Sequence, residues 1–313
     1  MLEVLTGFAV IGLAILVGWV IGRIDLLGPT GGQVLGRLTF FVLSPFLLFV
    51  VLSESDVATL FSALLPVSAV SALVVFALYV PIARFAWRRS AGETVIGALA
   101  AGQVNSNNIG IPLSLYLLGS AAFPAPVILF QLLVLTPVVM AIFEAIVSPT
   151  TGRPWPIVRR TITNPIVIGS ALGTAASALN LSLPPIVMDP LHLIAGAAVP
   201  VLLISYGISL HGQRVLGRSG RRRDILLAST IKLLVMPAVA WAVATFLFGL
   251  SPGDVLVVTV LAALPTAQNV FNFAQRYRVG EIIARDTVFV TTIGCVPILF
   301  LIVLLLGPAA AGS

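Results

Sequence analysis

Two runs of amides and prolines, each set inside an apolar stretch, are where this chain could do chemistry. The first reads Gln103-Val104-Asn105-Ser106-Asn107-Asn108-Ile109-Gly110-Ile111-Pro112; the second reads Pro265-Thr266-Ala267-Gln268-Asn269-Val270-Phe271-Asn272 and is followed by Gln275. Carboxamides are uncharged and both donate and accept hydrogen bonds. Proline takes away a backbone donor and clashes with the preceding turn. A helix opened at such a run offers free N–H groups and a positive dipole end to an anion, and free carbonyls to a cation. That is recognition chemistry, not bond making. The sequence has no HExxH or GxSxG element, no cluster with metal-ligand spacing and no arranged nucleophile or acid pair. A plainer role for each amide is to hold helices together, at about 0.6 kcal/mol per pair. Two clusters in comparable surroundings point instead to a substrate site.

The elements that carry these runs follow from composition. Of 313 residues, 59% are apolar and 9% charged, against roughly 25% charged in soluble domains. The mean hydropathy is +1.13. So little charge cannot cover a water-facing surface, which excludes a soluble enzyme. A membrane helix takes about 20 apolar residues, so the length suits ten spans with short loops and no soluble domain. The net charge of +6 reads as arginine-rich cytoplasmic loops and not as nucleic-acid binding. Cys295 is the single cysteine, a small apolar residue with no intrachain disulfide open to it.

Apolar runs bounded by Gly, Pro and charge give spans at 2–21, 36–53, 59–83, 94–119, 123–147, 162–180, 186–210, 225–249, 254–275 and 285–306. The first carries Glu3 and lacks the basic start and cleavage site of a signal peptide, so it reads as a permanent helix. Sixteen of the seventeen Lys and Arg residues fall in the odd-numbered gaps between spans or, as Arg37 and Arg285 do, within two residues of the span end that adjoins one; the even gaps and both tails contain none. Basic residues collect on the cytoplasmic side. The alternation therefore predicts a multi-pass protein of the plasma (inner) membrane with both termini extracytoplasmic.

Ten spans suggest two fives. Pro45 in the second span matches Pro200 in the seventh at an offset of 155, and Val104-Asn105 fall on Pro265-Thr266 at an offset near 161. Because five is odd, the halves enter from opposite sides, so the repeat is inverted. Residues 1–150 form the first five-helix repeat and 151–313 the second. Unwound backbone at membrane depth survives only where protein or a watery cavity satisfies it, so both polar runs should face inward, against each other.

At these residues the chain resembles the auxin efflux carrier family, which includes the plant PIN transporters and many bacterial permeases. The stretch from Asn105 to Gly110-Ile111-Pro112-Leu113 resembles the family's fourth-helix motif, and Ala263-Leu264-Pro265 through Phe273-Ala274 to Tyr277 resembles its ninth. Pro45, Gln131, Asn164-Pro165 and Pro200 to Gly207 add further matches. The resemblance implies an all-α inverted 5+5 repeat, similar to the bile-acid sodium symporter fold. In it, broken helices four and nine cross between a scaffold (helices 1, 2, 6 and 7) and a transport domain (helices 3–5 and 8–10). It also implies organic-anion substrates, auxin in plants and dicarboxylates such as malate or malonate in bacteria. Where the plant pattern has a proline before the fourth-helix asparagine, this chain has Val104; the break of helix four then falls to Gly110, Pro112 and the asparagines. The long cytoplasmic loop of many plant members is missing.

Asn105, Asn107, Asn108, Gln131, Thr266, Gln268, Asn269 and Lys232 are thus the substrate-binding candidates, with Gly110, Pro112 and Pro265 holding the crossover. Lys232, inside the eighth span, either supplies positive potential to an anion or snorkels to the headgroups. Glu144 either balances the loop arginines or carries protons. His192 and His211, at the ends of the seventh span, suit the interface better than a proton relay. No cofactor is expected; carbonyls and amides could still bind Na⁺, so coupling to Na⁺ or H⁺ stays open. The expected partners are a small organic anion and the lipid bilayer, with a homodimer suggested by related folds. The reading is a secondary carrier and not an enzyme. The alternatives are a sodium-coupled bile-acid-type symporter, a channel or a sensor.

Overall fold

The computed structural model describes residues 2–54, 63–147, 159, 163–211 and 219–311. The loop arginines Arg153, Arg160, Arg214 and Arg218 and the side chain of Glu144 lie outside the described residues. In chain order the helices are α1 (Leu2–Arg23), α2 (Gly31–Ser53), α3 (Leu64–Ala86), α4 (Ala91–Gly102), α5 (Ile111–Leu118) and α6 (Ala125–Phe143). They continue as α7 (Pro165–Ala178), α8 (Pro185–Leu210), α9 (Arg222–Leu247), α10 (Pro252–Ala263), α11 (Gln268–Tyr277) and α12 (Glu281–Ala311). Six of them, α2, α3, α6, α8, α9 and the Glu281–Pro308 part of α12, are long and apolar enough to cross a bilayer. Side chains such as Leu193 and Phe246, 79% and 76% exposed, would be costly against water and suit lipid. The protein is a helical, multi-pass membrane protein. Among the described residues the sole strand-like feature is one isolated bridge.

Prolines explain where the helices widen. Four π-turns, Thr39–Leu43, Ser106–Gly110, Gln131–Leu135 and Ile231–Val235, each end two residues before a proline: Pro45, Pro112, Pro137 and Pro237. A proline has no N–H to give and its ring crowds the carbonyl four residues back; a wider turn there relieves the clash while the helix continues. Gly110 and Pro112 accordingly shape the start of α5, and the interruption of the fourth span falls ahead of them, at Gln103–Asn105.

The described residues divide into two compact units, one of residues up to 54, 107–133 and 163–211, the other of 63–106, 134–147 and 219–311. In the first unit α1 packs on α8 and α2 on α7, and glycines set how close they come. A Cβ on Gly18 would meet the Ile204 backbone, and a Cβ on Gly173 would meet that of Phe49. Gly18 and Gly173 lie 155 positions apart, as do Phe49 and Ile204, so the two contacts are the same contact made twice. Asp25 and Asn180, again 155 apart, both take positive φ, 51° and 49°. Asp and Asn tolerate that left-handed region better than most side chains.

In the second unit, matching features stand 161 positions apart. The terminal π-turns Ile82–Ala86 of α3 and Val243–Leu247 of α9 stand at that spacing. So do the bonds that close them, from the Arg89 N–H to the Ala83 carbonyl and from the Leu250 N–H to the Ala244 carbonyl. The next helices then start alike. The Ser90 hydroxyl accepts from the Glu93 N–H at the head of α4, and the Ser251 hydroxyl accepts from the Asp254 N–H at the head of α10. A serine N-cap satisfies one of the orphan donors of the first turn, worth about 1 kcal/mol.

Candidate functional site

Within the second unit α4 and α10 both stop short and their continuations run past each other. After Gly102 the chain goes extended at Gln103, and after Ala263 it does so at Leu264. Val104 and Thr266 then form an antiparallel bridge. The Asn105 N–H donates to the Pro265 carbonyl at 2.8 Å, and the Ala267 N–H to the Gln103 carbonyl at 2.9 Å. Each broken strand of backbone thus satisfies the other, which is what unwound peptide in a bilayer requires. Pro265, lacking an N–H, contributes only its carbonyl, so its place in the pairing wastes no donor.

Side chains lock the crossing. The Thr266 hydroxyl donates to the Ala100 carbonyl in the last turn of α4 at 2.6 Å, and the Thr291 hydroxyl of α12 accepts from the Thr266 N–H at 3.1 Å. Thr266 is fully buried, and Gln103, Val104, Asn105 and Ser106 are buried with it. The Gln103 side-chain oxygen has no hydrogen-bond partner among the described residues, so a buried acceptor stands at the crossing.

Lys232 does not snorkel. It is fully buried; its Nζ donates to the Ala262 carbonyl at 2.6 Å and contacts Met236 Sδ at 3.2 Å. That carbonyl belongs to the last turn of α10, just before the crossing. Gln268 is part-buried and Asn269 exposed, both in the first turn of α11. The structure therefore brings Asn105, Pro265 and Thr266 together and ties Lys232 to the helix end beside them.

The remaining candidates belong to the first unit. Asn107 donates to Asn108 Oδ1 at 3.1 Å and approaches Ser44 Oγ at 3.5 Å; Ser44 is the residue before Pro45 in α2. Gln131 opens the π-turn of α6 and is buried. His192 pairs with Glu54 at 2.9 Å, not with Asp189, and both partners are about half exposed. Glu54 also lines an open cleft of about 830 Å³ with Ser53, Asn180 and Met188, separate in sequence from the amide runs.

Gln103, Ala100 and Thr291 complete the crossing in the second unit, and Ser44 stands beside Asn107 in the first; none of the four was among the candidates. One signal for Thr291 is present in the sequence. Thr287, Thr291 and Thr292 put hydroxyls in a helix that is apolar from residue 288 on apart from them, and all three are buried. Ala100 and the carbonyl of Gln103 act through backbone, which carries no side-chain signal.

Away from the crossing, Arg89 makes two bonds to the fully buried Asp224, from Nε at 2.9 Å and Nη2 at 2.7 Å. Arg221 pairs with Glu93. The first pair ties the loop between α3 and α4 to the head of α9, and the second ties the first turn of α4 to the residue before α9. The hydrogen bond to Asp224 raises the Arg89 pKa further, so its guanidinium is charged at any working pH.

Interrupted helices that pair inside an apolar chain are an arrangement found in membrane carriers. Residues 155–303 match the family described as membrane transport protein. Over 271 residues, 84% of each chain, the protein is 27% identical to one from Rhizobium meliloti (strain 1021) named "Putative malonate transporter". Together with the motifs of the fourth and ninth spans, these matches make the chain similar to bacterial membrane transport proteins of the auxin efflux carrier family.

Proposed function

We propose that the protein is a secondary carrier of small organic anions, with dicarboxylates of the malonate kind as the substrate class. The observation that carries this reading is the crossing at Val104 and Thr266, where two opened helices lie among buried amides and hydroxyls and a buried ammonium caps the helix end next to them. The name of the Rhizobium meliloti relative supports the substrate class. Asn105, Thr266 and Gln103 bind near the crossing, with Lys232 as the source of positive potential. Gln268 and Asn269, in the first turn of the helix after the crossing, are further candidates within the same unit.

The matched contacts at 155 and the matched turns and caps at 161 support an inverted repeat of five helices plus five, hence ten spans with both termini outside the inner membrane. Under that repeat α1, α2, α7 and α8 act as scaffold and the helices carrying the crossing act as the transport domain. Alternating access follows when one moves against the other.

Protein reconstituted into liposomes should exchange labelled malonate for internal malonate with saturation. Asn105→Ala should lower that exchange about tenfold, the worth of one hydrogen bond to a charged group, in protein that elutes and melts as the parent does. Unchanged exchange would count against the site. Flux without saturation or counterflow would indicate a channel, and binding without flux a sensor.

A further inference from the structure

We propose that Lys232 is a built-in cation, holding on a covalent tether the carbonyl end of α10 that a free coupling cation would otherwise occupy. The inference deepens the carrier reading and rests on it for its meaning, although its readout is separate. The last carbonyls of a helix have no helical partner, and the dipole makes that end negative. In carriers with broken helices such ends coordinate Na⁺ or protons. Here the end of α10 is already taken, since the Ala262 carbonyl accepts from the Lys232 ammonium at 2.6 Å in a fully buried site. The contact is as short as a charge-assisted hydrogen bond, and Met236 Sδ fills a second side of the ammonium at 3.2 Å.

The first repeat shows what this position looks like without the lysine. Counting 161 back, Lys232 falls on Ser71 and Ala262 on Ala101. Ser71 turns its hydroxyl to Val67 of its own helix at 2.7 Å. Its helix runs without a π-turn there, because Phe76 stands where α9 has Pro237. Proline, π-turn and lysine thus occur together in one repeat only, and they put a cation at one of the two interrupted helix ends. Nor does the unit supply Lys232 with a carboxylate in the ion pairs described. Asp224 is paired with Arg89, Glu93 with Arg221 and Asp286 with Arg285. Within the ion pairs described, a lysine ammonium at the crossing would suit an incoming anion and repel a metal cation.

The test is melting of the purified full chain in sodium, potassium and choline chlorides at equal ionic strength, for the parent and for Lys232→Ser, which copies Ser71. The parent should melt alike in all three salts. K232S should melt lower by roughly 5 °C in choline and regain part of that loss in sodium or potassium, as a metal ion enters the vacated position. A parent stabilised selectively by Na⁺ or K⁺ overturns the proposal. So does K232S melting like the parent, or showing no cation-specific recovery. If K232S does not fold, the parent's three salts still decide the point, and Lys232→Met adds a second measure. Keeping the stem without the charge, it should melt lower in every salt; melting as the parent would again overturn the assignment. Absence of malonate exchange alongside these salt responses would sink the substrate class and leave the role of Lys232 standing.

Discussion

The backbone N–H of Asn105 donates to the carbonyl of Pro265 at 2.8 Å, joining interruptions that belong to opposite halves of the chain. A proline at that point is ordinarily a defect, since it removes a donor and breaks a helix. Here its carbonyl accepts, its missing N–H is not needed, and the break it makes is filled by the other half. The crossing is then a rigid part of the second unit, and its strength is measurable.

Thr266 bonds in two directions, through its hydroxyl to Ala100 and through its N–H to Thr291. Thr266→Val keeps shape but leaves the Ala100 carbonyl buried without that donor, so it should cost about 1–3 kcal/mol. Thr291→Val should cost a similar amount, and the double variant less than the sum of the two. Thermal unfolding of the three proteins in detergent checks this.

Glycine at the close contacts of the first unit is predicted to be replaceable in one place and not in another. Gly18→Ala and Gly173→Ala each push a methyl into backbone of the neighbouring helix and should each destabilise by about 1–3 kcal/mol or more. Gly12→Ala, with nothing within 4 Å of the added carbon, should be neutral or stabilise by up to about 1 kcal/mol. Similar losses at positions 18 and 173 would agree with their being equivalent positions of a repeat; a neutral G18A would remove that support.

Removing Arg89 leaves the Asp224 carboxyl fully buried and without its two bonds. Arg89→Ala should therefore cost about 3–5 kcal/mol. Arg84→Ala, which loses only an exposed bond to the Arg89 carbonyl, should cost about 0–1 kcal/mol. The sign of the pH effect from Arg89 follows from its raised pKa. Its contribution is complete below the ordinary guanidinium value and is lost only as pH rises through the still higher folded one. Melting temperatures of parent and R89A across neutral to mildly alkaline pH should therefore differ by a constant amount.

The two serine caps give a further pair. Ser90→Ala and Ser251→Ala should each cost about 0.5–2 kcal/mol. The loss should be smaller at Ser90, whose backbone N–H still donates to the Glu93 carboxylate after the substitution. Hydrogen exchange in the first turns of α4 and α10 reads the two losses separately.

What the sequence determined by itself was the solvent and the helical, multi-pass character of the chain. Charge too scarce to cover a water-facing surface, arginines in alternate gaps and prolines at an offset of 155 are properties of residue type and order, and they need no contacts to be read. The two amide runs were legible for the same reason, because polar groups in an apolar stretch are costly unless something meets them. Tertiary structure decided what meets them. The break in the fourth span sits at Val104, where no proline marks it, because Thr266 and Pro265 supply the missing pairing from the far half of the chain. Lys232 looked able to reach the headgroups along its own helix, yet it turns to the end of α10, since an unpaired carbonyl at 2.6 Å outweighs that route. Pairing between distant backbone atoms leaves no trace in residue type, and only the folded chain brings those atoms together.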